Sequence, residues 1–337
     1  MRIDLPVPQD KPFDVVGVGN NVIDYLFRIS HFPEPNTKMD ALGVTIQGGG
    51  LTATAMVACA RLGLRTRYIG KFGDNEIGRM ARQELLAEGL DLAGSVVAEG
   101  VPNRFCVILV EEGSGHRTIV RERDPRISLT PAELTRETVY AGRVLHLDGH
   151  EGDAALQAAR WAKQAGVLVS MDAEEPTQHR EELFPLTDIL IVSQRFARAL
   201  TGKTAPADIL HVLATFGPAC VGLTLGEAGS ALLHRGVLVE VPGFQVKVVD
   251  TTGAGDVFHG AFLYGFLQGW EVGDILRFAN AVSALKCTRL GGRAGIPTLA
   301  EVQAFLSAGR GNPEGRVERS TNDEGSGLER HRPPGHR

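Results

Sequence analysis

Cysteine is scarce in this chain, four in 337 residues, and Cys59, Cys106, Cys220 and Cys287 stand far apart in apolar runs. They form no CxxC pair and no metal-ligand spacing, so they read as buried thiols in a reducing compartment. Positive charge is not in surplus: Lys+Arg 35 against Asp+Glu 40 leaves a formal net charge of −5, with only 22% charged residues. Binding a nucleic acid needs concentrated Lys and Arg, so that class is set aside. No apolar run reaches the roughly 20 residues of a bilayer span, and the opening MRIDLPVPQDKPFD lacks an apolar signal core, so a cytoplasmic protein with no membrane partner is expected. Two nucleotide fingerprints are also missing. VVGVGNNVID has Gly17 and Gly19 but Val22 where a dinucleotide fingerprint needs its third glycine, and GxxxxGK[ST] occurs nowhere.

What is present is 43% hydrophobic content with 41 glycines, enough to bury a sizeable core joined by tight turns. Short β-branched runs, VVGVG (15–19), VLHLDG (144–149), VLVSMD (167–172), DILIVS (188–193) and CVGLTLG (220–226), alternate with amphipathic stretches at 51–63, 75–89 and 153–166. That rhythm predicts a doubly wound α/β domain, a mostly parallel sheet flanked by helices. Residues 37–47 and 104–123 break it and read as strands, the second a hairpin turning at EEGSG, which would form a small β-sheet lid over a site at the sheet's edge. The domain is expected over 1–308. From 309 to 337 Val317 and Leu328 are the only aliphatic residues, and a disordered tail is expected there.

The most informative stretch is FQVKVVDTTGAGDVFHGAFLYGFLQG (244–269), read as a strand, a small-residue turn and a helix. Small residues let backbone approach an anion, and the helix N-terminus turns unpaired N–H groups toward it. Asp256 at its mouth has two readings. It could cap the helix, or it could be a base that takes a hydroxyl proton while the N–H groups of Gly253, Ala254 and Gly255 stabilise a transferring phosphoryl group. Phe258, Phe262 and Phe266 read as core packing, and His150 and Glu151 as loop residues.

DTTGAGDVFHGAF closely resembles the C-terminal signature of the ribokinase-like (PfkB) carbohydrate kinases, and GGGLTATAMVACARLG (48–63) resembles their N-terminal glycine signature. The resemblance runs from about residue 13 to 307 and includes LTLGEAGSALL (223–233) and RFANAVSALKCTRLGGRAGIP (277–297). It implies a ribokinase-like fold, with ATP and Mg²⁺, and in many members K⁺. Asp256 would be the catalytic base and Gly253, Ala254 and Gly255 the anion hole. Thr224, Gly226 and Gly229 would follow the nucleotide phosphates and Asn280 would lie beside the adenine. Asp250, Thr252 and Gly292 match a monovalent-cation site. Asp24, Gly48, Gly49 and Asp148 match sugar-side positions, and the lid commonly makes a homodimer.

Ala53 and Val22 stand where ribokinases proper carry Asn, which argues against ribose. The NxxE motif linked to magnesium and phosphate aligns with Ser193-Gln194-Arg195-Phe196, so Ser193 holds its place while Asn and Glu are missing. Lys38 and Arg104 match positions where kinases of phosphorylated or sulfonated ketohexoses keep a cation for the anionic end of the sugar; Arg121 and Arg123 could join them. Solvated lid charges are the alternative. The expectation is an ATP-dependent kinase of an anionic ketohexose, with a neutral ribose- or fructose-like sugar or a nucleoside as alternative. A non-catalytic sugar sensor on the same fold is opposed by the intact GAGD.

Overall fold

The computed structural model describes residues 1–122, 124–174, 178–308 and the backbone of 316–319. Its strands are β1 (Phe13–Val18), β2 (Val22–Ile29), β3 (Gly43–Gly49), β4 (Thr66–Ile69), β5 (Lys71–Gly73), β6 (Val96–Ala98), β7 (Phe105–Glu111), β8 (Arg117–Arg121), β9 (Gly142–Leu147), β10 (Leu168–Ala173), β11 (Ile189–Ser193), β12 (Cys220–Thr224), β13 (Ser230–His234), β14 (Val237–Val241) and β15 (Arg316–Arg319). The α-helices are α1 (Leu51–Arg61), α2 (Glu76–Ala87), α3 (Arg136–Val139), α4 (Gly152–Gln164), α5 (Arg180–Leu183), α6 (Gln194–Thr201), α7 (Pro206–Ala214), α8 (Ala254–Leu267), α9 (Val272–Lys286) and α10 (Leu299–Ser307). None is long and apolar enough to cross a membrane.

The main sheet runs β15-β14-β13-β12-β11-β10-β9-β1-β4. Pairing is parallel from β12 through β4 and antiparallel from β12 to β15. Because side chains alternate along a strand, Val15, Val144 and Ile191 enter one apolar cluster with α1, α8 and α9, while Val16, Leu145 and Val192 enter a second with α4, α6 and α7. Helices thus cover both faces, as a parallel sheet requires. The strand ends that face one edge carry Asn20, His150, Glu174 and Thr224, and the clefts lie along that edge.

A second sheet, β3-β2-β7-β8, forms the lid. Here the structure departs from the sequence reading in two ways. The lid contains β2, continuous with VVGVGNNVID, so the chain enters it three residues after leaving β1. Its first expected strand also begins at Gly43 rather than 37: Gly43 pairs with Arg28, one residue from the end of β2, and only a single bond from Leu42 N–H to the Arg28 carbonyl precedes it. The hairpin β7–β8 turns where EEGSG predicted it.

Two further expectations are corrected. Residues 244–249 are not a strand: pairing of β14 stops at Val241 before Pro242, and the following segment lines a cleft instead. Within the tail expected to be without structure, Arg316–Arg319 pair antiparallel with β14; the rest of 309–337 lies outside the described residues.

The helix that carries GAGD is seated by contact with α1. At Gly260 of α8 a methyl group would stand 2.6 Å from the Ala55 carbonyl oxygen and 2.7 Å from the Ala58 Cβ. Gly260→Ala is therefore expected to cost about 1–3 kcal/mol of stability by overpacking, measured by urea unfolding. Parental stability in that variant would mean that the two helices can separate freely.

Candidate active site

Residues 250–256 form the turn into α8, which is capped by Gly253 in the left-handed region at φ 74° with no side-chain hydrogen bond at the cap. Only glycine takes that conformation cheaply, and Gly253 also lies against Gly292, 3.0 Å from where its Cβ would be. Asp256 is therefore not the cap. It sits in the first turn of α8, buried at 8% exposure.

Two clefts meet at this turn. One, of about 380 Å³, is lined by Asp24, Gly49, Arg104, Glu174, Gly253 and Asp256 together with lid residues Arg117, Ile119 and Arg121. The other, of about 530 Å³, is lined by Thr224, Gly226, Gly229, Ala254, Gly255 and Asn280, with Phe244, Val246, Phe258 and Ala284 as apolar wall. One helical turn thus presents a carboxylate to the first cleft and two backbone amide positions to the second.

The first cleft is crowded with acids. Asp256 is pushed well above the usual carboxylate range, first by burial and then by the neighbouring charges of Glu174, Asp172, Asp148 and Asp24. Glu174, after β10, is raised to about 7 by burial and by Asp172. Asp172 pairs with buried His259 at 3.3 Å. Asp24 on β2 is raised to about 6, burial outweighing the attraction of Arg293. It receives a hydrogen bond from Cys106 on the adjacent strand, and any side chain at Gly49 would collide with its carboxylate.

Arg293 was not singled out by sequence reasoning, although RAGIP lay within the recognised stretch. It is buried at 5% exposure and donates to the Gly49 carbonyl at 2.5 Å, its guanidinium filling the space a side chain at Gly48 would need. Gly48 donates its N–H to Glu84 and does not line the cleft.

Several sequence assignments change. Lys38 is exposed, ahead of β3, and not on the cleft wall. Arg104 lines the cleft but is committed to a buried ion pair, 2.7 Å from Glu151, with Ser128 as second acceptor at 3.1 Å. Glu151, read as a loop residue, is this anchor, and it also accepts from the Leu129 N–H at 2.7 Å. Asp148 is a staple: its Oδ2 accepts from Asn20 N–H at 2.8 Å and Thr52 Oγ1 at 2.9 Å, and its Oδ1 from His150 N–H. Ser193 caps α6 through the Phe196 N–H at 3.3 Å and does not line the second cleft. Asn280 lines that cleft while its Nδ2 is held by the carbonyls of Val241 and Pro242. Arg123 lies outside the described residues.

At the back of the turn, Asp250 accepts from Thr252 N–H and Oγ1 on one oxygen and from Gly291 N–H on the other. Thr252 and Gly292 open on the first cleft. From the lid, Arg117 donates to Thr251 Oγ1 at 2.5 Å, tying β8 to the same turn.

With this geometry in view, a profile of the pfkB family carbohydrate kinases matches residues 13–299. The chain belongs to the pfkB family of carbohydrate kinases. This kinase is 30% identical to an ATP-dependent ribose-1-phosphate kinase of Halopiger xanaduensis, over 87% of its own length and 98% of the relative's. It is 31% identical to fructokinase-1 of Oryza sativa subsp. japonica, over 87% and 98%. Its fold matches the crystal structure of ribokinase from Thermotoga maritima with a TM-score of 0.77 at 24% identity, covering 88% of this chain and 99% of that one. The ribokinase-like fold and the ATP-dependent phosphoryl transfer to a sugar expected from the motifs are thereby established.

The Arg104–Glu151 pair gives a stability prediction. Arg104→Ala leaves a buried carboxylate unpaired and is expected to destabilise the kinase by about 3–5 kcal/mol in urea unfolding. A loss below about 1 kcal/mol would return Arg104 to the status of a solvated lid charge.

Proposed function

We propose that the kinase transfers the γ-phosphoryl of ATP, bound in the larger cleft, to a hydroxyl of a sugar held in the smaller one, with Asp256 as general base. The observation that carries this is the shared turn: Asp256 opens on one cleft, and Ala254 and Gly255, two residues before it, open on the other. Both acceptor hydroxyl and donor phosphate can therefore reach one helix N-terminus, where backbone N–H groups and the helix dipole stabilise developing negative charge. Thr224, Gly226 and Gly229 would accommodate the phosphate chain, and the apolar wall with Asn280 the base. Asp24 would accept hydrogen bonds from sugar hydroxyls, beside the side-chain-free Gly49. Mg²⁺ neutralises the phosphates when bound. It would arrive on the nucleotide's own oxygens and waters.

The acceptor is proposed to carry an anionic group, in keeping with the ketohexose phosphate or sulfosugar reading. Lys38 no longer supports it and Arg104 does so only weakly. The support comes from Arg117, Arg121 and Arg195 on the cleft wall and from a relative named for a phosphorylated pentose. A neutral sugar is the second reading, favoured by the acids Asp24 and Glu174 in the same cleft and by the fructokinase relative. The outer lid face carries exposed Val44, Ile46 and Val120, an apolar surface that pairing of two lids into a homodimer would cover.

Initial rates with fructose, ribose, ribose 1-phosphate and fructose 6-phosphate separate the two acceptor readings. Under the anionic one, a phosphorylated sugar gives the highest kcat/KM, and Arg121→Ala raises its KM by about tenfold or more, the scale of a lost charged hydrogen bond, with little change for ATP. A higher kcat/KM for fructose or ribose, unaffected by Arg121→Ala, establishes the neutral sugar instead.

Asp256→Asn keeps shape but cannot accept a proton, and is expected to lower kcat by about 10²–10⁴ with an unchanged melting temperature. A base acts deprotonated, so the rate falls as pH drops below its raised pKa. Glu174→Gln removes one of the charges that raise Asp256, and the acidic limb of kcat/KM should move to lower pH. A near-parental rate for Asp256→Asn would remove the base assignment, and an unmoved limb in Glu174→Gln would remove the coupling.

A further inference from the structure

Lys286, the last residue of α9, is completely buried, and nothing in the chemistry above uses it. A buried ammonium persists only where the structure supplies oxygen partners. Its Nζ donates to the backbone carbonyl of Asp250 at 2.9 Å, the first residue of the turn that ends in Gly253 and the anion hole. Burial works against its charge and lowers its pKa, the carboxylates of Asp250 and Asp256 favour the ammonium, and Arg117 opposes it from the lid side. Around it the turn is pinned to the end of α9, for Val249 and Asp250 both donate their N–H groups to the Cys287 carbonyl, at 2.8 and 3.2 Å.

The motif resemblance implied a monovalent cation held by Asp250, Thr252 and Gly292. With Lys286 in place, the residues present do not fit that ion. Asp250 receives three hydrogen bonds on its carboxylate and the ammonium on its carbonyl, and Thr252 Oγ1 is turned to the Asp250 carboxylate. No side-chain oxygen of either residue is among the buried atoms lacking a partner. A positive charge is already built into this region.

We propose that the Lys286 ammonium takes the place of a bound monovalent cation behind the anion hole, so that the kinase does not depend on K⁺. Lys286 is then a positioning residue: it acts through the Asp250 carbonyl on the conformation of 250–253 and touches neither substrate. The inference rests on the anion-hole reading of Gly253–Gly255.

The test compares kcat and melting temperature of the full chain in tetramethylammonium, Na⁺ and K⁺ chlorides at equal ionic strength, for the parent and for Lys286→Ala. The parent is expected to change by less than about twofold in kcat among the salts. Lys286→Ala is expected to lose about tenfold or more in tetramethylammonium, on the scale of a disturbed oxyanion site, and to regain activity in K⁺. K⁺ should also raise its melting temperature by about 2–4 °C, as a ligand bound only to the folded state does, and leave the parent unmoved. Severalfold activation of the parent by K⁺, or a folded Lys286→Ala indifferent to K⁺, overturns the proposal. If the variant does not fold, the parent's response to K⁺ decides. A parent inactive on every sugar counts against the proposed function, whereas the melting curves report on the cation without any substrate.

Discussion

Everything at this site hangs on one turn of helix. The N-terminus of α8 is where two clefts touch, and its position is set by contacts of very different kinds. Gly260 lets α8 lie against α1, Gly253 takes a left-handed conformation against Gly292, and Asp250 ties the turn to Thr252 and Gly291. They make the backbone amides of 253–255 a fixed feature, and a fixed set of donors costs no reorganisation when charge develops in front of it.

The second constraint is electrostatic. Four carboxylates, those of Asp24, Asp172, Glu174 and Asp256, are brought close together with burial raising the pKa of three of them. Such crowding of acids disfavours the full ionisation of all of them. The lid meets it with arginines: Arg117 and Arg121 project from the strand that closes over the cleft, and Arg117 already bonds to Thr251. Arg117 and Arg121 are exposed on β8, so lid and core carry opposite charges across a cleft open to solvent.

The same local chemistry explains why some residues were easier to place from motifs than others. Gly48, Gly49, Gly50 and Gly253 belong to runs of small residues, and each lies at a close approach in the structure. Acids and bases are less constrained by neighbours in sequence. Asp148 and Arg104 have the residue types of substrate ligands, but their hydrogen-bonding capacity is taken up by Asn20, Thr52 and His150 in one case and by Glu151 in the other. Partners 47 to 128 residues away, as Glu151, Thr52 and Asn20 are, cannot be read from a local pattern.

By itself the sequence determined the α/β alternation, the hairpin lid and the small-residue turn before α8, because period, turn chemistry and steric permissiveness are properties of a few adjacent residues. It also pointed to Asp256, which stands next to the turn that gives it meaning. Only the tertiary structure decided that β2 belongs to the lid, that 244–249 lines a cleft instead of joining the sheet, that Arg293 holds the glycine loop, and that Lys286 lies buried against Asp250. Those outcomes depend on which distant segments compete for the same hydrogen bonds and the same buried space, and that competition is resolved only when the whole chain packs.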